Sequence, residues 1–107
     1  MTRLRPENRR SSETVEVEHD RQRYCVSVGF LPDGQTAIEV FVSAVRTASA
    51  LEALARDGAI LISFAIQHGV PLEDLRSAVS RGDHDEPASV IGAVLDAVAA
   101  NWKRTVA

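Results

Sequence analysis

Arg23-Tyr24-Cys25-Val26-Ser27-Val28-Gly29-Phe30-Leu31-Pro32-Asp33-Gly34 is the stretch on which the fold turns. Tyr24, Val26, Val28 and Phe30 alternate with Cys25, Ser27 and Gly29, a period of two that places one set on each side of a strand. Leu31-Pro32-Asp33-Gly34 then reads as a turn. Proline presets φ at the second position, aspartate supports the bend, and glycine takes positive φ at little cost. Beyond the turn the alternation resumes over Thr36–Val42, with Ile38, Val40 and Val42 directed inward. Before it, Val15 and Val17 alternate with Thr14, Glu16 and Glu18, and the polar pair Asp20-Arg21 separates that strand from the next. Three strands joined by short links predict an antiparallel meander with one buried face.

Past residue 44 the period lengthens to that of a helix. Ser49-Ala50-Leu51-Glu52 has the spacing of a capping box. Leu51, Leu54, Ala55, Gly58, Leu61, Ile62 and Ala65 follow at intervals of three and four and predict the stripe that covers the sheet. Gly58 in mid-helix implies a close approach by the sheet or another helix, since glycine there costs about 1 kcal/mol relative to alanine. Gly69 suits the C′ position that ends the helix. Pro71 suits N1 of a second helix, with Glu73 and Asp74 in its first turn and Leu72, Leu75 and Val79 on one face. Residues 80–86 form a polar loop, and Pro87 is expected to open a third helix carrying Ile91, Val94, Leu95 and Val98, with Trp102 closing the core. The predicted fold is α+β: a three-stranded antiparallel sheet (about 12–19, 22–30 and 36–43) with helices (about 49–68, 71–80 and 87–101) packed on one face.

Length and composition bound what such a domain does. The 107 residues suffice for one core, and 45% hydrophobic with 25% charged residues is the composition of a globular chain. A formal charge of −3 gives no ground to expect nucleic acid or a membrane as partner of the whole surface. The first eleven residues differ from the rest. Arg3, Arg5, Arg9 and Arg10 stand against the single Glu7, with few apolar residues to offset the entropy of ordering, so 1–11 is expected to be a mobile basic arm and 12–104 a single domain. That arm reads as a solubilising tail or as a contact for an anion or an acidic partner, because arginine pairs well with phosphate and carboxylate. With one cysteine, no secretory leader and no run of roughly 20 apolar residues, the expected compartment is the cytoplasm.

Candidate chemistry is sparse. Cys25 has only Arg23 near it on the same strand face, and a nucleophilic thiol needs a base, a cation or a helix N-terminus beside it. His19, His68 and His84 lack the paired spacing of metal ligands. Asp83-His84-Asp85-Glu86 reads as a solvated loop ahead of a helix, and His68 as a residue of the last helical turn that suits the dipole. Neither a phosphate-binding loop nor a dinucleotide fingerprint occurs. No catalytic residue, metal or cofactor is assigned.

The order strand, strand, Pro-Asp-Gly turn, strand, long helix, helix and final helix resembles the TSCPD domain. The stretches that carry the resemblance are Tyr24-Cys25-Val26-Ser27-Val28-Gly29 leading to Asp33-Gly34, Ile38-Glu39-Val40-Phe41-Val42, and Ser63-Phe64-Ala65-Ile66-Gln67-His68-Gly69-Val70-Pro71-Leu72-Glu73. The resemblance spans roughly residues 12–101, and Asn8-Arg9-Arg10-Ser11-Ser12-Glu13-Thr14 looks like the start of the stand-alone members. Such domains form the C-terminal part of cobalamin-dependent (class II) ribonucleotide reductases and also occur alone. A reductase needs a thiyl-forming cysteine, a redox pair and a ten-stranded barrel. This chain has one cysteine and is too short for the barrel. Cysteines that larger members carry are absent around Arg21–Arg23 and Thr47–Leu51.

The resemblance therefore implies a non-catalytic interaction or accessory module, linked to deoxyribonucleotide synthesis, with a protein partner. Separately, a three-stranded sheet has two edges, and pairing one with a twin chain would hide hydrogen-bonding groups that otherwise invite aggregation, so a homodimer is expected. The alternative is a nucleotide-binding sensor. The densest stretches of the resemblance mark Asp33, Gly34, Gln67, Gly69 and Pro71 as candidate ligand or partner contacts, against the plainer reading of a hairpin and a helix corner.

Overall fold

In the computed structural model, residues 12–44 and 50–102 are described, together with the backbone of 104–105. The arm with Arg3, Arg5, Arg9 and Arg10, and the Ser49 cap, lie outside the described residues. Strands β1 (Ser12–His19), β2 (Gln22–Phe30) and β3 (Thr36–Ala44) form the antiparallel meander, followed by helices α1 (Ala50–Gln67), α2 (Leu72–Ala78) and α3 (Val90–Asn101). A two-residue strand, β4 (Arg104–Thr105), which the sequence did not announce, pairs parallel to β3 at Thr36 and Ala37.

The register explains the alternation. Val15 stands opposite Val26 and Val26 opposite Val42, so the valines of all three strands share a face, while Glu16, Cys25 and Ser43 occupy the other. A register shift falls between Gly29 and Phe30. On the inner face Tyr24, Val26, Val28, Phe30, Val40 and Val42 pack with Ala55, Ala59, Ile62 and Ile66 of α1 and Val94, Leu95 and Val98 of α3. Trp102 closes this core edge-on to Phe30, with ring centroids 6.3 Å apart. Burying one such aliphatic side chain is worth about 1.5–3 kcal/mol.

Three local expectations are corrected. Pro71 is the N-cap of α2, not its first residue: its ψ is 139° and its carbonyl accepts from the amide of Asp74 at 3.0 Å. Gly69 (φ 90°) ends α1 as expected, with the Val70 amide bonded to the Ala65 carbonyl, and this turn delivers the chain to Pro71 extended. The third helix starts at Val90 rather than Pro87. Pro87 is drawn into a bridge with Arg81, and Ser89 caps the helix by accepting from the Gly92 amide at 3.2 Å.

The third correction concerns α1. Its buried residues are Glu52, Ala55, Ala59, Ile62, Ser63, Ile66 and Gln67, whereas Leu51, Leu54 and Leu61 of the expected stripe point outward. The helix is rotated relative to its hydrophobic periodicity because it lies along the outer edge of β3, where the need is for hydrogen bonds. Glu52 Oε2 accepts from the Ala44 amide at 2.8 Å. Ser63 Oγ accepts from the Val40 amide at 2.8 Å, and its proton has the carbonyls of Val40 and Ala59 each at 3.0 Å. Gln67 Nε2 donates to the Ile38 carbonyl at 3.0 Å. Leucine supplies none of these bonds, and the small Ala55 and Ala59 let the helix come close. Gly58 serves the other side, since a Cβ there would stand 2.0 Å from Ile91 Cδ1 of α3.

Candidate functional site

Hairpin geometry places the first candidate site. Asp20 and Arg21, the two central residues between β1 and β2, have φ of 52° and 66°. Positive φ at both positions is the I′ arrangement that matches strand twist, and it is strained for residues other than glycine, asparagine or aspartate. The turn projects His19, Asp20 and Gln22 beside the first turns of α1 and α3. Between them lies a cleft of about 450 Å³, with Tyr24, Leu51, Leu54, Val90 and Ile91 as apolar walls and His19, Asp20, Gln22 and Ser89 as polar groups. His19 Nε2 is 3.4 Å from the Pro87 carbonyl. The volume lies within the usual range for small-molecule sites.

The second candidate is the outer face of α1. Leu54 and Leu61 are 64% and 69% exposed, and Leu51, Ile60, Phe64 and, from β3, Phe41 are exposed large hydrophobics as well. Leu54, Ile60, Leu61 and Phe64 recur at helical spacing around the exposed Asp57, and exposed apolar patches mark interaction sites.

A third cluster ties α2 to α3. Arg81 binds Asp96 with two parallel bonds, Nη1 to Oδ2 at 2.6 Å and Nη2 to Oδ1 at 2.8 Å. Arg76 Nε donates to Asp96 Oδ1 at 3.0 Å and its Nη1 to Glu73 at 2.8 Å. The hydrogen bond from Arg81 holds the Asp96 carboxyl below the usual carboxylate range against the opposing effect of burial. Both guanidiniums are thus occupied by carboxylates, and the cluster is a brace.

The residues singled out from sequence fall as follows. Asp33 Oδ1 accepts from the amides of Gln35 and Thr36, each at 2.8 Å, and Oδ2 from Thr36 Oγ1 at 2.5 Å. Gly34 takes φ 70° in that turn. Gln67 is 2% exposed and bound to β3, and Gly69 and Pro71 shape the corner between α1 and α2. None of these five lines the cleft. Cys25 is half-buried on the outer sheet face, where Arg23 lies 4.0 Å from Glu16. His68 Nδ1 lies 2.9 Å from the Phe64 carbonyl. In the acidic loop, Glu86 Oε1 accepts from the His84 amide at 2.8 Å, and among the described residues no group of three or more His, Cys, Asp or Glu is placed to hold a metal ion. No described helix is long and apolar enough to cross a membrane.

Sequence reasoning passed over the cleft, whose only local signal is Asp20-Arg21, and over the outward face of α1. That face was legible as Leu54, Ile60, Leu61 and Phe64 at helical spacing, but the leucines were assigned to the core.

A three-stranded meander with its last edge sealed by a helix, followed by two further helices, defines an α+β domain. The TSCPD domain family profile matches residues 2–99 of the 107, and the chain belongs to that family. The match begins before β1 and so takes in the basic segment. No curated protein and no solved structure matches the chain.

Proposed function

We propose that the chain is a non-catalytic interaction module, accessory to ribonucleotide reduction and hence to deoxyribonucleotide supply, and that the outer face of α1 is the surface it offers. The observation that carries this reading is the outward direction of Leu54 and Leu61 on a helix whose buried face is partly polar. Selection for stability alone gains little from leucines in water. The link to reductases rests on the family. Binding of the purified chain to a purified cobalamin-dependent ribonucleotide reductase, followed by calorimetry, tests both halves. The expected result is micromolar binding, weakened at least about tenfold, or 1.4 kcal/mol, in Leu54→Asp/Leu61→Asp. Equal binding by that variant refutes the surface, and no binding refutes the reductase link.

The cleft supports a second reading, a nucleotide or other small-ligand sensor. A cavity with apolar walls and a few polar groups, His19, Asp20, Gln22 and Ser89, is an arrangement that binding sites favour. Under this reading a ligand at about 100 times its dissociation constant adds about 2.7 kcal/mol of stability. Thermal unfolding against ribonucleotides and deoxyribonucleotides measures that, and a flat panel removes the nucleotide.

A further inference from the structure

We infer that the open edge of β1 is a docking site for an extended protein segment in which arginine or lysine alternates with apolar residues, added to the sheet as a further strand. The site lies at the sheet edge remote from β3 and does not depend on the reading of the α1 face.

The direction of the backbone groups follows from the hydrogen bonds at the other edge. On β3 the amides of Val40 and Ala44 and the carbonyls of Ile38 and Val40 face α1. The even-numbered residues of β3 therefore point away from β2, while the backbones of Glu39, Phe41 and Ser43 bond to their partners Gly29, Ser27 and Cys25. That leaves Tyr24, Val26 and Val28 to bond Val17, Val15 and Glu13. Along β1 the amides and carbonyls of Thr14, Glu16 and Glu18 are then directed out of the sheet, and no strand of the described residues meets them. An extended segment pairs with such a row through its main chain, and side chains decide which segment it is.

The two faces at this edge ask for different side chains. On the outer face stand Glu16 and Glu18, opposite Cys25 and Arg23. Arg23 is 4.0 Å from Glu16, with both side chains more than half exposed. Between residues 12 and 23 the cations are Arg21 and Arg23, against Glu13, Glu16, Glu18 and Asp20, so the edge is negative. On the inner face Val15 and Val17 pack against the core but are only half-buried, because the sheet ends there. A strand added to β1 sets its outer residues across from Glu16 and Glu18 and its inner residues across from Val15 and Val17. Basic residues at the first positions and apolar residues at the second complement both faces. A second β1 complements the valines alone: paired antiparallel, it sets Glu16 on Glu16 or on Glu18, and like charges directly opposite destabilise a sheet. The same carboxylates repel a nucleic acid.

The test is titration of the full chain with a capped Arg-Val-Arg-Val-Arg peptide, followed residue by residue by amide NMR and hydrogen exchange. Binding in the range of about 0.1 to 1 mM is expected. At about ten times the dissociation constant, exchange of the Thr14, Glu16 and Glu18 amides should slow about tenfold, which charge attraction without strand pairing does not produce. An Arg-Arg-Arg-Val-Val peptide, of the same composition, should bind at least about threefold more weakly. Glu16→Lys/Glu18→Lys should bind the basic peptide about fivefold more weakly and gain affinity for Glu-Val-Glu-Val-Glu. Thr14→Pro keeps every charge and removes one outward amide, at an edge where proline leaves the ladder intact. It should bind at least about threefold more weakly than Thr14→Val, the scale of one hydrogen bond. Circular dichroism checks that the variants fold. No binding at about 5 mM, equal binding of the reordered peptide, unslowed exchange at the three amides, or equal affinity of a folded Thr14→Pro overturns the inference. So does protection of those amides in the free chain, which would mean that another part of the chain or a second copy already holds the edge.

Discussion

The two edges of the sheet solve one problem in opposite ways. An edge strand presents unpaired amides and carbonyls that invite another strand. At β3 the outward groups of Ile38, Val40 and Ala44 are bonded to side chains of α1, and Thr36 and Ala37 to β4. At β1 no strand of the described residues lies alongside, and Glu13, Glu16 and Glu18 stand exposed along it. One edge is closed by chemistry specific to each position. The other is protected by charge, which needs no geometry. The difference teaches that the polar residues of α1 carry as much of the fold's definition as its apolar ones, whereas β1 tolerates change as long as it stays charged.

The largest effect should come from Ser63→Ala, which leaves the buried amide and carbonyl of Val40 without their partner. Each stranded group costs about 1–3 kcal/mol, so denaturant unfolding should show a loss of roughly 3 kcal/mol, with Gln67→Leu about half as costly because one carbonyl is affected. A loss below about 0.5 kcal/mol for both would mean that the seal is decorative.

A control away from both edges is the brace at Asp96. Because its folded carboxyl titrates below the unfolded value of about 3.9, the stability it contributes is present above that pH and is lost as the pH falls through the folded pKa. Asp96→Asn should therefore cost no more than about 1 kcal/mol at neutral pH, given its partial exposure, and should flatten the acid limb of the stability curve below about pH 4. An unchanged acid limb would remove Asp96 from that transition.

The smallest effect on stability belongs to the charged edge. Glu13→Val/Glu16→Val/Glu18→Val should shift unfolding by less than about 0.5 kcal/mol, the range of surface substitutions. Light scattering should nonetheless show larger assemblies. If the triple variant stays as soluble as the parent, charge is not what protects β1.

The strands were legible from sequence because a half-buried sheet writes its burial directly as alternation, and the Pro32-Asp33-Gly34 turn fixed their connection. The face of α1 was not. Hydrophobic periodicity weights Leu51, Leu54 and Leu61 heavily, but the site on β3 selected Glu52, Ser63 and Gln67, residues that a hydropathy pattern assigns to solvent. The usable signal was the pair Ser63 and Gln67 four apart, with Ala55 and Ala59 on the same side. The start of α3 was misplaced for a similar reason: Pro87 is a good first residue of a helix, but Ser89 is the residue whose hydroxyl reaches Gly92. The cleft was beyond reach, since it is assembled from three separate stretches of the chain and no single one carries its pattern.

The seal on β3 also sets a schedule. Synthesis runs from the N-terminus and sequences fold as they emerge, so all three long strands leave the ribosome before Ser63 and Gln67 do. For that interval the nascent meander has its last strand uncovered, a template for any neighbouring extended chain. The molecule is thus most vulnerable to misassembly while it is being made, and a pause in synthesis before Ser63 and Gln67 have emerged from the ribosome would lengthen that exposure, whereas one after their emergence would not.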